Sequence, residues 1–179
     1  MTVADVLTGI RIPLAVAFPL VTGTAWRAAI VAVAAATDLL DGAIARRFGG
    51  SRLGPVLDPI ADKLFMASAF GVVLFAGVLS WYEIVGVLLR DIVATVAFVV
   101  VSVSGRAAAI PARAGGKAVT VGQVLTLLAF IAGSPLVRQL AWGTAAMGLY
   151  AIWDYTHVAD RERRALRDPA PPSAGRPAA

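Results

Sequence analysis

Cysteine is absent from all 179 residues, which excludes disulfides, thiolate zinc sites, iron–sulfur ligation and cysteine nucleophiles together. Histidine occurs once, as His157, at the end of the last apolar run, where it reads as an interfacial side chain. Charge is scarce: 15% of residues are charged and 59% are hydrophobic, against about 25% charged in soluble chains. With a mean hydropathy of +0.79, that balance excludes a disordered tail protein, argues against an ordinary soluble domain and makes lipid the expected solvent. The net charge of +5 does not point to nucleic acid, because the basic residues sit in short clusters between apolar runs, the pattern of membrane topology.

Six apolar runs can be marked: Ile12–Gly23, Ala28–Leu40, Ile60–Leu79, Ile84–Val103, Val119–Ile131 and Leu140–Trp153. A transmembrane helix needs about 20 residues to cross a core of about 30 Å. The shorter runs must therefore extend as helix into flanks carrying Arg11, Arg46, Lys117 and Asp154. Pro13 and Pro19 fall in the first helix and are expected to kink it. The fold expected is all-α: a polytopic membrane protein with six transmembrane helices. Residues 1–160 make one membrane domain, and 161–179 a basic, Pro/Ala-rich cytoplasmic tail without fixed structure. A signal peptide over residues 1–23 fits poorly, since Asp5 stands where a basic region belongs and Arg11 interrupts the apolar run.

Placing Met1 in the cytoplasm puts 13 of the 16 basic residues on that side, leaving Arg27 and Arg138 outside and Arg90 within a span. The positive-inside rule then sets both termini of a multi-pass cell-membrane protein in the cytoplasm. Trp26, Trp81, Tyr82 and Trp142 fall at the outer interface, where amphipathic rings belong.

The most informative segment is DLLDGAIARRFGGSRLGPVLDPIADK, residues 38–63. Asp38 and Asp41 stand at i,i+3, and Asp58 and Asp62 at i,i+4, so each pair shares a helix face. The simplest geometry is a helical hairpin whose acidic faces look at one another. Carboxylates gathered near a membrane repel and lose hydration unless cations compensate. An all-oxygen set suits a hard divalent ion, magnesium or manganese, with room for two. The plainer alternative is pairing with Arg46, Arg47, Arg52 and Lys63, or exposure at helix ends. Gly42, Ala45 and Gly54 lie one turn from an aspartate, leaving volume for a substrate or allowing close helix packing. Arg46 continues the acidic face and can clamp a phosphate.

The pattern Asp38-x2-Asp41-Gly42-x2-Ala45-Arg46-x7-Gly54-x3-Asp58-x3-Asp62 resembles the signature of the CDP-alcohol phosphatidyltransferases, integral membrane enzymes of phospholipid synthesis. The resemblance covers about residues 5–160 and implies six helices with a polar active site on the cytoplasmic side. It implies that Asp38, Asp41, Asp58 and Asp62 hold divalent metal, with Asp62 also the general base. It further implies that Asp38, Gly42, Ala45, Arg46 and Gly54 line the cytidine diphosphate. The expected reaction is in-line attack of an alcohol on the lipid-side phosphorus of CDP-diacylglycerol, releasing CMP without a covalent enzyme intermediate.

The acceptor is read from the second half of the chain. Arg90 and Asp91 interrupt the fourth run, and intramembrane ionisable groups are functional candidates, although a salt bridge holding the bundle is an alternative. Arg113 and Lys117 stand four apart at the start of the fifth and can hold an anionic phosphate or snorkel to the interface. Lys117, Thr120 and Gln123 form a polar series that needs partners. Arg90, Arg113 and Lys117 are thus the expected acceptor phosphate ligands, with Thr8, Arg11, Asp91, Thr120 and Gln123 in support. These segments, with Thr8-x2-Arg11 near the start, are most similar to the phosphatidylglycerophosphate synthases, which implies glycerol 3-phosphate as acceptor. Cardiolipin synthases share the Arg-Asp pair and the Lys, Thr and Gln segment, so phosphatidylglycerol stays an alternative, as does an inositol phosphate. A transporter or a non-catalytic membrane protein is the reading from another class; carboxylates clustered beside one loop, rather than spread through the membrane depth, argue against a transporter. The abundant Ala and Gly permit a homodimer without requiring it.

Overall fold

The computed structural model describes residues 3–48, 54–103 and 114–167. Within them, the side chains of 3–5, 41–43, 45–48, 54–59, 98, 101–103, 114–115 and 158–167 lie outside the described set. Six helices follow in order: α1 Val3–Leu20, α2 Thr24–Phe48, α3 Gly54–Phe75, α4 Trp81–Val103, α5 Ala114–Ile131 and α6 Val137–Arg167. No strand occurs among the described residues, and the chain is all-α as its apolar runs predict. The charged flanks are helical too: Arg11 lies in α1, Arg46 in α2, Lys117 in α5 and Asp154 in α6.

Local chemistry sets the helix ends. The third apolar run reaches Leu79, but α3 stops at Phe75 because Gly77 takes a left-handed φ of 70° that other residues resist. Gly133, at φ 64°, ends α5 in the same way. Ser80 caps α4, and the Glu83 carboxylate reaches back to accept the Ser80 N–H at 2.8 Å, half of a capping box. That carboxylate is buried and is also paired with Arg138 of α6 at 2.9 Å.

Both early prolines lie inside α1, which continues through them. Pro19 has no N–H to give the carbonyl of Ala15, four residues back. The Ser68 hydroxyl of α3 donates to that carbonyl at 2.6 Å. The backbone group that proline orphans therefore becomes a tie between two helices.

Helix α1 packs against both α2 and α3, and α6 against both α4 and α5; α5 joins the halves through contacts with α2 and α3. Helices α2 and α3 hardly touch each other among the described residues. The side chains at the turn end of these two helices, where the acidic faces of the expected hairpin would meet, lie outside the described residues. The apolar core runs through the bundle from Phe18 of α1 and Phe65 and Phe70 of α3 to Leu127 of α5 and Ala141 of α6.

Among the described residues no helix is long and apolar enough to cross a membrane. Large apolar side chains are nonetheless exposed, and several polar ones are buried beside the apolar core. Leu20, Trp26, Leu39 and Phe75 are 71–93% exposed, whereas Thr8, Arg11, Gln123, Thr126 and Thr144 are buried. Trp81, Tyr82 and Trp142 gather at one end between α4 and α6, with ring centroids 6.0 and 6.5 Å apart.

Candidate active site

Three helices bring charged groups to one place. Arg11 points from α1 into the bundle with 2% of its side chain exposed, and its guanidinium lies 3.0 Å from Asp38 of α2, whose side chain is 47% exposed. Asp62 of α3 and Thr120 of α5 line the same cavity as Arg11 and Asp38, a space of about 210 Å³. The rest of the wall is apolar, including Val31, Phe65, Met66, Val124 and Leu125. Asp62 experiences Asp38 and Asp91 as like charges and Arg11 and Lys63 as opposite ones. At an effective dielectric near 20, unit charges about 4 Å apart interact by about 4 kcal/mol, so the pairing of Arg11 with Asp38 offsets part of the cost of burying the guanidinium.

Asp41 follows Asp38 by one turn on α2, and Asp58 precedes Asp62 by one turn on α3. Their side chains, with those of Gly42, Ala45, Arg46 and Gly54, lie outside the described residues, as does Arg113 altogether. Among the described residues no group of three or more His, Cys, Asp or Glu is placed to hold a metal. The carboxylates at the cavity, Asp38 and Asp62, are hard oxygen donors with no nitrogen or sulfur ligand beside them, a chemistry that fits magnesium or manganese. Thr8 is fully buried one turn before Arg11 on α1.

A second polar cluster joins α4, α5 and α6. The Arg90 guanidinium donates to Asp91 Oδ1 at 2.7 Å, and both a terminal nitrogen of Arg90 and the Tyr155 hydroxyl of α6 lie against Gly116. Gln123, buried on α5, donates its side-chain amide to Asp91 Oδ2 at 2.6 Å and to the Val87 carbonyl at 3.0 Å. The polar series on α5 thus divides: Gln123 turns to α4, Thr120 lines the cavity and donates to the Gly116 carbonyl at 3.3 Å, and Lys117 is exposed.

Sequence reasoning did not single out Tyr155 or Gly116. Tyr155 sits on a polar segment, Asp154-Tyr155-Thr156-His157, whose third and fourth residues turn to the Trp153 carbonyl; no periodicity distinguished its hydroxyl.

A family model described as CDP-alcohol phosphatidyltransferase matches residues 1–153. The chain belongs to that family. This CDP-alcohol phosphatidyltransferase is 36% identical over 148 residues to a Mycobacterium tuberculosis protein named "Probable phosphatidylglycerophosphate synthase", spanning 80% of this chain and 66% of the relative. It is 30% identical over 167 residues to proteins of Mycobacterium bovis and Mycobacterium tuberculosis named "Putative cardiolipin synthase", spanning 87% of this chain and 79% of each relative. An enzyme of phospholipid synthesis, a transferase of this class, is what the matched sequence encodes.

Proposed function

We propose that this CDP-alcohol phosphatidyltransferase moves a phosphatidyl group from CDP-diacylglycerol to glycerol 3-phosphate, releasing CMP and forming phosphatidylglycerophosphate. The observation that carries the reading is the convergence of Asp38 and Asp62, from two helices, on one otherwise apolar cavity. A lipid with a charged headgroup needs that combination of a polar end and a greasy wall.

Asp38, Asp41, Asp58 and Asp62 would hold magnesium or manganese, one or two ions. When bound, such an ion supplies positive charge that offsets the pyrophosphate and the departing nucleotide phosphate. The chain's own residues do the rest. The Asp62 carboxylate takes the proton of the acceptor hydroxyl. The freed oxygen forms a bond to the lipid-side phosphorus as the bond from that phosphorus to the CMP oxygen breaks, and CMP leaves with those electrons. Arg11 holds Asp38 from behind, fixing it in one rotamer. Gly42, Ala45, Arg46 and Gly54 line the cytidine diphosphate. Arg90, Arg113 and Lys117 receive the acceptor's phosphate, supported by Asp91 and Gln123 as the clamp on Arg90 and by Thr120 at the cavity wall.

We place the enzyme in the cell membrane as a multi-pass protein with both termini cytoplasmic. The support is the large apolar side chains that face outward, the buried polar ones, and full-length runs such as Ile84–Val103, in which only Arg90 and Asp91 are charged.

The cardiolipin synthase names of the 30% relatives favour a second reading with the same donor chemistry, phosphatidylglycerol being the acceptor. One assay separates the two. Purified enzyme in detergent, with magnesium or manganese and CDP-diacylglycerol, is offered glycerol 3-phosphate, phosphatidylglycerol, inositol phosphate or serine, and CMP is measured. The proposal predicts release with glycerol 3-phosphate. Release with phosphatidylglycerol alone would replace it by the second reading, and release with none would overturn both.

A further inference from the structure

We propose that Tyr155 is a positioning residue which, with Asp91, Gln123 and Gly116, forms a socket that fixes the Arg90 guanidinium to receive the acceptor's phosphate. The inference rests on the assignment of Arg90 to the acceptor made above and adds how that side chain is aimed.

Four contacts from three helices define the socket. Asp91 takes one guanidinium N–H at 2.7 Å. A carboxylate facing arginine ordinarily binds it through both oxygens, but here Gln123 occupies Asp91 Oδ2 at 2.6 Å and is itself fixed by the Val87 carbonyl. Asp91 therefore grips Arg90 through one oxygen only. From α6, the Tyr155 hydroxyl stands on the same side of Gly116 as the guanidinium, so that a Cβ on Gly116 would meet both.

The opposite side is closed by the backbone of Gly116. A Cβ on that residue would collide with an Arg90 terminal nitrogen and stand 3.2 Å from the Tyr155 hydroxyl. A guanidinium has five N–H donors, so the bond to Asp91 leaves several for a ligand. Its Nε has no hydrogen-bond partner among the described residues. The side chain is 23% exposed, which leaves it reachable. On α5, Gly116 lies one turn from Thr120, which lines the cavity.

The test is steady-state kinetics on the full-length enzyme in detergent, with separate KM values for glycerol 3-phosphate and CDP-diacylglycerol, and a melting temperature for each variant. Tyr155→Phe removes one oxygen and keeps the ring. A polar contact to a charged group predicts a rise of about ten-fold in the glycerol 3-phosphate KM, with the donor KM and kcat within about two-fold. Gly116→Ala, which pushes the guanidinium aside, should raise the same constant. Arg90→Gln is the control for the underlying assignment. If it leaves the acceptor KM unchanged, Arg90 does not bind the acceptor and the socket has no role. If Arg90→Gln raises that KM and Tyr155→Phe does not, the assignment stands and the socket is refuted. A Tyr155→Phe variant whose two KM values rise together, or whose only defect is a lower melting temperature, would assign the hydroxyl to helix packing and likewise overturn the proposal.

Discussion

Asp62 and Arg11 carry opposite parts of the residue-level account. Asp62 lines the cavity with Asp38, while Arg11 is buried behind them and balances part of their charge. Asp62→Asn keeps the shape and removes the basic oxygen, so CMP release should fall by about 10²–10⁴-fold, the usual contribution of a general base, with the protein still folded. Full activity would remove the proposed proton acceptor. Arg11→Met keeps much of the volume and deletes the cation. It should lower stability by about 1.5–3 kcal/mol, the range for a hydrogen bond to a charged group, seen as a drop of several degrees in melting temperature; an unchanged melting temperature would mean that Asp38 does not need the pair. The four aspartates were legible in the sequence because their spacing is a chemical pattern. Tyr155 was not, because a phenol on a polar helix segment acquires meaning only when α4 and α5 bring Arg90 and Gly116 near it.

At the scale of helices, the apolar runs marked all six elements, and the charged flanks proved helical because Ala, Leu, Ile and Arg continue a helix once begun. What periodicity could not supply was neighbourhood. The placement of α1 against both α2 and α3 depends on ties such as Ser68 to the Ala15 carbonyl, 53 residues apart in sequence. That tie makes a prediction about coupling. Ser68→Ala alone should cost about 1–3 kcal/mol, since it leaves a buried acceptor without its donor. In a Pro19→Ala background the backbone N–H of residue 19 satisfies Ala15, and the cost of Ser68→Ala should shrink to a few tenths. A double-mutant cycle by thermal or denaturant unfolding reads the difference directly; additive costs would show that the serine is not compensating for the proline.

Across the whole molecule, two helical triads meet at α5, and the cavity opens where they join. Large apolar side chains are exposed, and arginine, glutamate, glutamine and threonine are buried beside the apolar core; the proposed membrane setting can be tested by labelling. The absence of cysteine supplies a clean background for mapping. Single cysteines at Thr22 and Ser173, introduced separately, should be labelled by a membrane-impermeant thiol reagent from opposite faces of right-side-out and inverted vesicles. Labelling of both from one face would refute the six-crossing topology.

The central claim is that aspartates carried by α2 and α3 hold a divalent cation and drive phosphatidyl transfer. CMP released from CDP-diacylglycerol by the purified enzyme, measured across a magnesium and manganese titration after exhaustive chelation, tests it most directly. The account predicts no turnover in chelator, recovery on adding either ion together with glycerol 3-phosphate, and no recovery in Asp62→Asn. Turnover undiminished in the chelated enzyme would contradict it.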